Sequence, residues 1–449
     1  MGNIRILLIV IFLSLFCAEI SAQENPFMKF VGKKYAEKSK EFFDYNKEFS
    51  EFQDTIEARK MIAQVAEVAR LTGSMEWILL TEYLELELFT KKWQLYGKTN
   101  FSVENSIEMG FELLEKLEAW KVTYLELLVR QRIIDHYWNE LKNYELAFQQ
   151  YAIQEERLNK ISSKDIPTKA NYLLNIADAH YFFKDYGKSI RYYEKVLEDR
   201  TNVHVPFLQQ HARNGLGLCY RFGYNDFDRS DSCFRITMLP ENVANPESDY
   251  DREIWEGIGS GNIGHNMMLR GEYDQAIPLL INSIEKMLKW EDFGYATGPA
   301  VNLANIYLKK GNIAKAKHYL DLSLRCYEIN PRVGMLSRIF EAQSKYYAAT
   351  GNTKLSIAYM DSTLKEIKRH DDEYCALQLV RAEQRQHIVE YELKETQLKS
   401  EIIKKNGYRI SLIVFIIALL MASGFAVHNS ILHRKQKDAY RELVHKSKA

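Results

Sequence analysis

A glycine pattern in the middle of the chain has the spacing of a dinucleotide-binding fingerprint. Gly259, Gly261 and Gly264 match G-x-G-x-x-G. That fingerprint binds pyrophosphate only when a strand precedes it and a helix follows, because the helix N-terminus must face the phosphates. Here the glycines fall inside a helical pattern, with Gly264 at a small packing position. We therefore predict no nucleotide site and no cofactor.

Other arrangements that could support catalysis or bind a metal are incomplete. Residues 257–261 match a nucleophile elbow by letters only, since they lack a strand and no acid–histidine partners can be placed. His136 and Glu140 are four residues apart on a helix, but two ligands are too few for a metal site, and a surface helix pair is the better account. We predict that the chain is not an enzyme, with no catalytic residues and no metal ligands.

Polar side chains recur at one place in three segments of the sequence. In each, an asparagine precedes an apolar residue, and a second polar residue follows three positions later on the same helix face. These candidate ligand-binding residues are Asn175, Asp178, Asn262, His265, Asn302 and Asn305. The asparagines either bind an extended ligand or bond a carbonyl of a neighbouring helix. In the first case we expect their amides to be largely exposed and to converge on one surface.

The segments that carry these residues are internal repeats. The four clearest copies are residues 173–197, 260–284, 300–324 and 340–364. Each has an apolar or small stripe at helical spacing, a polar turn, and a second helix that starts beside a small residue. In the third copy Gly311 and Asn312 form the turn, and Ala304 and Ala316 should be buried where the two helices meet.

This pattern resembles the tetratricopeptide repeat, whose Leu-Gly/Ala, Tyr, Gly-Asn/Asp and Ala positions it matches over residues 128–370. The small residues that open the second helices are Ala147, Ser189, Ser230, Ala276, Ala316 and Ser356. Their spacing of 40–46 residues exceeds the family's period of about 34, so longer helices or loops are expected. The resemblance implies an all-α solenoid of helical hairpins with a concave groove for a protein or peptide ligand. In that family an asparagine at this place commonly bonds the backbone of an extended peptide.

Residues 23–127 have amphipathic helical patterns without the turn signature, and we interpret them as diverged or capping hairpins. Their apolar stripes include Ala58, Val65, Val68, Leu113, Leu117 and Trp120.

The N-terminus has the features of an export signal. Arg5 precedes an apolar run at residues 6–16, and Ser21 and Ala22 are small residues suited to cleavage, so residues 1–22 are predicted to be a signal peptide. On the exported side Cys219 and Cys233 could form a bridge, although buried thiols are the simpler interpretation.

A second apolar run predicts a transmembrane helix at residues 409–427, since residues 410–427 carry no charge and are long enough to span. The tail at 428–449 is basic. With a cleaved signal, this anchors the chain in the plasma membrane, with the repeats outside the cytoplasm and the tail in the cytoplasm. Residues 371–408 form a helical stalk with an imperfect heptad seam, which could dimerise or pack back on the last repeat. A polar loop is expected at residues 370–373.

Composition supports a helical protein. The 21 glycines and eight prolines are few for 449 residues, which favours helices joined by short loops. The formal net charge is zero, so the chain as a whole has no electrostatic signature of nucleic-acid binding.

The order of these segments resembles the membrane-spanning regulators of Bacteroidetes that join outer tetratricopeptide repeats to a cytoplasmic helix-turn-helix domain of the AraC or LuxR class. The sequence ends at Ala449 without that domain, so DNA binding by this chain is not implied. We expect a sensor or scaffold that binds a peptide, protein or small ligand outside the cytoplasm. The alternatives are a structural assembly scaffold and a truncated, non-functional regulator.

Overall fold

The structure is a computed structural model that describes residues 25–51, 55–96, 102–199, 208–239 and 248–446. The predicted signal peptide lies outside the described residues. Within them the chain forms helices joined by short turns and contains no strand. The prediction of an all-α fold is therefore confirmed.

The N-terminal helices are α1 (Tyr35–Glu51), α2 (Thr55–Thr72), α3 (Met75–Tyr96), α4 (Val103–Trp120), α5 (Thr123–Asp135) and α6 (Tyr144–Asn159), with a π-helical turn at His136–Glu140. The next are α7 (Lys169–Phe182), α8 (Tyr186–Glu198), α9 (Leu208–Tyr224), α10 (Phe227–Thr237), α11 (Asp249–Arg270) and α12 (Tyr273–Lys289). The last are α13 (Phe293–Lys309), α14 (Ile313–Ile329), α15 (Met335–Ala349) and α16 (Thr353–Lys446). From α7 to α14 consecutive helices pair as hairpins, and each hairpin stacks on the next, as predicted for a tetratricopeptide-like solenoid.

The turns inside these hairpins share one arrangement. A residue in the left-handed conformation follows the first helix, and the residue after it is the N-cap of the second helix. Gly311 has a φ of 73°, and the side chain of Asn312 then accepts the backbone N–H of Lys315 at 3.0 Å. In the α7–α8 hairpin Lys184 takes the left-handed place with a φ of 58°, and Asp185 is the capping residue. The Asn or Asp cap satisfies an N–H that the helix itself leaves unbonded.

Small residues let the paired helices approach. Ala304 and Ala316 are 0% and 1% exposed, and Ala304 packs with Leu320 of α14 and Ile339 of α15. Their predicted burial is confirmed. Where a serine takes the small position, its hydroxyl is satisfied locally, as Ser189 Oγ donates to the carbonyl oxygen of Ala177 at 2.9 Å.

The glycines of the dinucleotide-like pattern lie inside the continuous helix α11. A Cβ atom at Gly264 would lie 2.9 Å from Cγ of Leu280, and one at Gly261 would lie 2.5 Å from Oγ of Ser283. Both contacts are with α12, so these glycines allow the two helices of the hairpin to pack closely.

The N-terminal helices share one apolar core with the hairpins that follow them. Ala58, Val65, Val68 and Leu117 are fully buried there. Trp120 is 59% exposed, so its predicted place in the buried stripe is wrong: it is the last residue of α4, and the stripe stops at Leu117.

The helix α16 continues without a break from Thr353 to Lys446. The loop predicted at residues 370–373 is wrong, because those residues are helical and no glycine or proline interrupts the helix there. The side chains at the predicted heptad positions before Leu398 lie outside the described residues, so the dimeric stalk stays a prediction.

One helix among the described residues is long and apolar enough to cross a membrane. It is the stretch Leu398–Ala439, whose most apolar window has a mean hydropathy of 2.7. This stretch contains the predicted span at residues 409–427. The side of the membrane on which each end lies, and the predicted domain boundaries, remain predictions.

Candidate ligand-binding pocket

The candidate residues predicted from the sequence lie on the first helices of three hairpins. Asn175 and Asp178 are on α7, and the other four are divided between α11 and α13. First helices of neighbouring hairpins lie side by side, so polar groups on them can meet across hairpin boundaries.

A pocket of about 270 Å³ opens between the first helices of successive hairpins. Residues of α7, α9, α11, α13 and α15 line it, together with Ser283 of α12 and the loop before α15. Asn262, His265 and Asn302 are in this lining. The other three candidates are not. Leu218, Phe222 and other apolar side chains complete the walls.

Arg221 of α9 is a buried charge in this pocket. It is 2% exposed, and its Nε donates to Oδ1 of Asn266 at 2.5 Å. Nη2 donates to the carbonyl oxygen of Asn262 at 2.7 Å, and Nη1 donates to Oδ1 of Asn262 at 3.1 Å. Nη1 also lies 3.2 Å from Nδ1 of His265. All these partners are uncharged, so they solvate the guanidinium without neutralising it.

Asn266 fixes the guanidinium of Arg221 from the protein interior. Its Nδ2 donates to Oδ1 of Asp231 at 2.6 Å and to Oγ of Ser230 at 3.0 Å, which turns the amide oxygen toward Arg221. The other carboxylate oxygen of Asp231 accepts from Arg270 at 3.1 Å. The carboxylate behind the pocket therefore already has a cationic partner.

Arg338 of α15 is the second arginine of the lining. Its Nη2 donates to Oδ1 of Asn302 at 2.7 Å, and Nη1 lies 3.7 Å from the sulfur of Met335. Arg338 is half-buried, whereas Asn302 is 2% exposed.

Arg332, in the loop before α15, is the third arginine of the pocket lining. It is exposed, and its guanidinium carbon lies 3.7 Å from the ring centroid of Tyr295, a cation–π contact. The pocket lining contains no aspartate or glutamate.

Burial and the positive charges of the pocket lower the pKa values of three of its residues, Arg221, Arg338 and His265. Burial, with a contribution from the charge of Arg338, lowers the pKa of Arg221 to about 9. Burial also lowers the pKa of Arg338. Burial and then the charges of Arg221 and Arg338 hold the pKa of His265 well below its usual value, so this ring is neutral at pH 7. The pocket therefore contains more positive charge than its lining balances.

Solved structures with a similar fold include several bacterial helical proteins. The apo form of RapI is 14% identical, with a TM-score of 0.48 over 74% of this chain and 97% of that chain. A Rap protein complexed with competence and sporulation factor is 15% identical, with a TM-score of 0.45 over 74% of this chain and 97% of the other. The apo form of the quorum sensor NprR from B. thuringiensis is 12% identical, with a TM-score of 0.42 over 72% and 99%. Similarity at this level does not identify what this chain binds. No family model and no curated protein matches the sequence.

The candidates outside the pocket have other surroundings. Asp178 accepts a hydrogen bond from the hydroxyl of Tyr193 at 2.6 Å and lies 3.3 Å from Nε2 of His211 on α9. Asn305 has a buried Oδ1 without a hydrogen-bond partner among the described residues. Asn175 is half-buried. A ligand-binding role for these three stays a prediction.

The exposed amides that a ligand-binding role would require are not found at Asn302, which is 2% exposed, and Asn262 is half-buried. The oxygens of both accept hydrogen bonds from arginines of neighbouring hairpins. These asparagines therefore position arginines, a role that is neither of the two expected from the sequence.

The structure places His136 differently from the interpretation of the sequence, and it shows the state of Cys219 and Cys233. His136 is 3% exposed rather than on the surface, and its Nε2 lies 3.0 Å from Oγ of Ser106. No group of three metal-ligating side chains occurs in the part of the chain that the structure describes. Cys219 and Cys233 are free thiols, and the bridge considered between them is not formed.

Sequence reasoning missed the three arginines. Arg221 was detectable in principle, because a charged residue at a buried place of a helical repeat is unusual. Arg338 and Arg332 gave no such signal, since their role depends on contacts with the preceding hairpin.

Proposed function

We propose that this chain is a membrane-anchored binding protein, and that its repeats hold a peptide or protein segment on the face made by α7, α9, α11, α13 and α15. Residues 409–427 are the anchor in this proposal, and the repeats lie outside the cytoplasm. The role is that of a sensor or scaffold, without catalysis.

The observation that carries the proposal is the pocket itself. It is concave, has apolar walls, and contains a few fixed polar groups, the composition typical of a binding site. Most of its lining comes from the first helices of five successive hairpins, so a ligand there contacts several repeats at once. Arg221 and Arg338 are held by hydrogen bonds within the protein before any ligand arrives, which reduces the entropy lost on binding.

Occluding the pocket tests the proposal. A Cβ atom at Gly298 of α13 would have its nearest neighbours, Nη1 of Arg338 and the sulfur of Met335, at 3.8 Å. Gly298→Leu therefore fills the pocket without meeting backbone. Gly187→Leu on the exposed start of α8 is the matched control, since a Cβ atom there meets only the Tyr224 hydroxyl, at 3.7 Å.

The full-length chain in detergent micelles is incubated with a random hexapeptide library, and the retained peptides are identified by mass spectrometry. We expect the wild type and Gly187→Leu to retain the same peptides and Gly298→Leu to lose them, with similar melting temperatures for all three. Retention by Gly298→Leu equal to that of the wild type would show that the pocket is not the binding site.

A further inference from the structure

We infer that the pocket binds a carboxylate group of its ligand, held by the guanidinium groups of Arg221 and Arg338 with Arg332 at the entrance. The inference rests on the proposed function and specifies the chemistry of the ligand. It follows from the charges of the lining, from the hydrogen bonds left to those charges, and from the size of the space between them.

The charges of the pocket lining favour a bound anion. A buried ionised side chain is normally paired with an opposite charge, because removing it from water is costly. Arg221 is buried among neutral partners, Arg338 is held by the amide of Asn302, and no acidic residue lines the pocket. The nearest acid behind Arg221, Asp231, is paired with Arg270. A bound anion would supply the missing negative charge.

The N–H groups of Arg221 and Arg338 that remain without an acceptor favour a carboxylate. Asn266 accepts from Nε of Arg221, Asn262 and His265 accept from Nη1, and the carbonyl oxygen of Asn262 accepts from Nη2, which leaves one free N–H on Nη2. Arg338 directs one N–H of Nη2 to Asn302. Its Nε and its remaining N–H groups can form the parallel pair of hydrogen bonds that a planar carboxylate accepts.

The volume of the pocket restricts the part of the ligand that can enter it. A pocket of about 270 Å³ with apolar walls at Leu218, Phe222 and Ile258 has room for one side chain beside the charged group. The carboxylate therefore belongs to the end of a ligand: the C-terminal residue of a peptide or a small carboxylic acid. Both sources present the same group, and the experiment separates them.

The experiment uses the full-length chain in detergent micelles at constant ionic strength. The probes are an N-acetylated random hexapeptide library as free acids, the same library as C-terminal amides, sodium acetate, and sodium phosphate, with sodium chloride as the reference salt. Binding of the libraries is measured by retention, and binding of the salts by the shift in melting temperature.

We expect free acids to be retained about tenfold better than amides, as expected when a hydrogen bond to a charged group is lost. Arg338→Gln and Arg332→Gln should reduce retention of free acids to that of amides. Arg332 is exposed, so its substitution tests the inference even if Arg338→Gln folds poorly. Arg325→Gln, at an exposed arginine of α14, is the control and should change nothing.

The outcomes separate the two proposals. Equal retention of acids and amides would overturn the carboxylate inference and leave the binding function standing. If neither library binds but acetate raises the melting temperature of the wild type and not of Arg338→Gln, the inference stands for a small carboxylic acid and the peptide function fails. A larger shift with phosphate than with acetate, or no effect of any probe beyond that of chloride, would overturn the inference.

Discussion

The side-chain oxygen of Asn302 accepts a hydrogen bond from Nη2 of Arg338 at 2.7 Å, which joins α13 to α15 of the next hairpin. Arg221 and Asn262 form the corresponding link between α9 and α11. In both cases a neutral amide meets a cation where a carboxylate would be the stronger partner. The choice of amide keeps the pocket positively charged.

Replacing this amide by a carboxylate should separate stability from binding. We expect Asn302→Asp to raise the free energy of unfolding by about 1 kcal/mol at pH 7, because a hydrogen bond between two charged groups is stronger than one to an amide. The same change should abolish the preference for free-acid peptides, because the new carboxylate takes the place of the ligand's. Thermal unfolding and peptide retention measure the two effects.

Asn302→Ala is the companion variant. It leaves the half-buried guanidinium of Arg338 without its acceptor and should lower the free energy of unfolding by about 1–3 kcal/mol. Full peptide binding by Asn302→Asp would contradict the charge argument, whatever its stability.

The turns and packing positions of the fold could be predicted because they are local. Gly311 and Asn312 specify a turn through their own backbone and side chain, and Ala304 and Ala316 mark the buried face by helical spacing alone. The pocket could not be predicted in this way. Asn302 and Arg338 are 36 residues apart, and Asn262 and Arg221 are 41 apart, so each pair depends on how one hairpin stacks on the next.

The same limit explains the errors at two other places. His136 and Glu140 share a helical spacing, but His136 is buried beside Ser106 of α4, which is 30 residues away in the sequence. Residues 370–373 are polar and suggested a loop, yet polarity alone does not end a helix where no glycine or proline occurs.

Acid should destabilise the chain through His136. Burial, and secondarily the charge of Arg132, lowers the pKa of His136 to about 4. Between pH 6.5 and pH 4 the unfolded chain binds a proton at this ring and the folded chain does not, so the free energy of unfolding falls as the pH falls through that window. The lowering corresponds to a loss of up to about 3 kcal/mol.

His136→Gln should reduce this acid sensitivity, since glutamine can still bond Ser106 and does not titrate. We expect the variant to lose less stability than the wild type between pH 7 and pH 4.5 in chemical denaturation of the full-length chain. Parallel pH profiles for the two proteins would show that His136 does not contribute.

Gly217 of α9 should tolerate no side chain. A Cβ atom there would lie 2.5 Å from the ring of Phe234, which is fully buried and cannot move aside. We expect Gly217→Ala to lower the free energy of unfolding by about 1–3 kcal/mol, as overpacking does. Gly187→Ala, at the exposed start of α8, should instead raise it by up to about 1 kcal/mol through helix propensity. Thermal melts of the two variants that shift in the same direction would contradict the packing argument.

The membrane orientation is the last prediction, and it follows from charge. The apolar residues 410–427 are followed by six basic residues, Arg434, Lys435, Lys437, Arg441, Lys446 and Lys448, against the acidic Asp438 and Glu442. Basic residues beside a span stay in the cytoplasm. A cleaved signal at residues 1–22 would put the repeats on the other side.

Reporter fusions test this arrangement. Alkaline phosphatase, which is active only after export, should be active when fused after Arg369 and inactive when fused after Val444. A fluorescent protein that matures only in the cytoplasm should give the opposite pattern at the same two positions and controls for expression. Phosphatase activity from the Val444 fusion alone would reverse the orientation. Activity from both fusions would mean that residues 410–427 do not span the membrane, because the tail would then be exported together with the repeats.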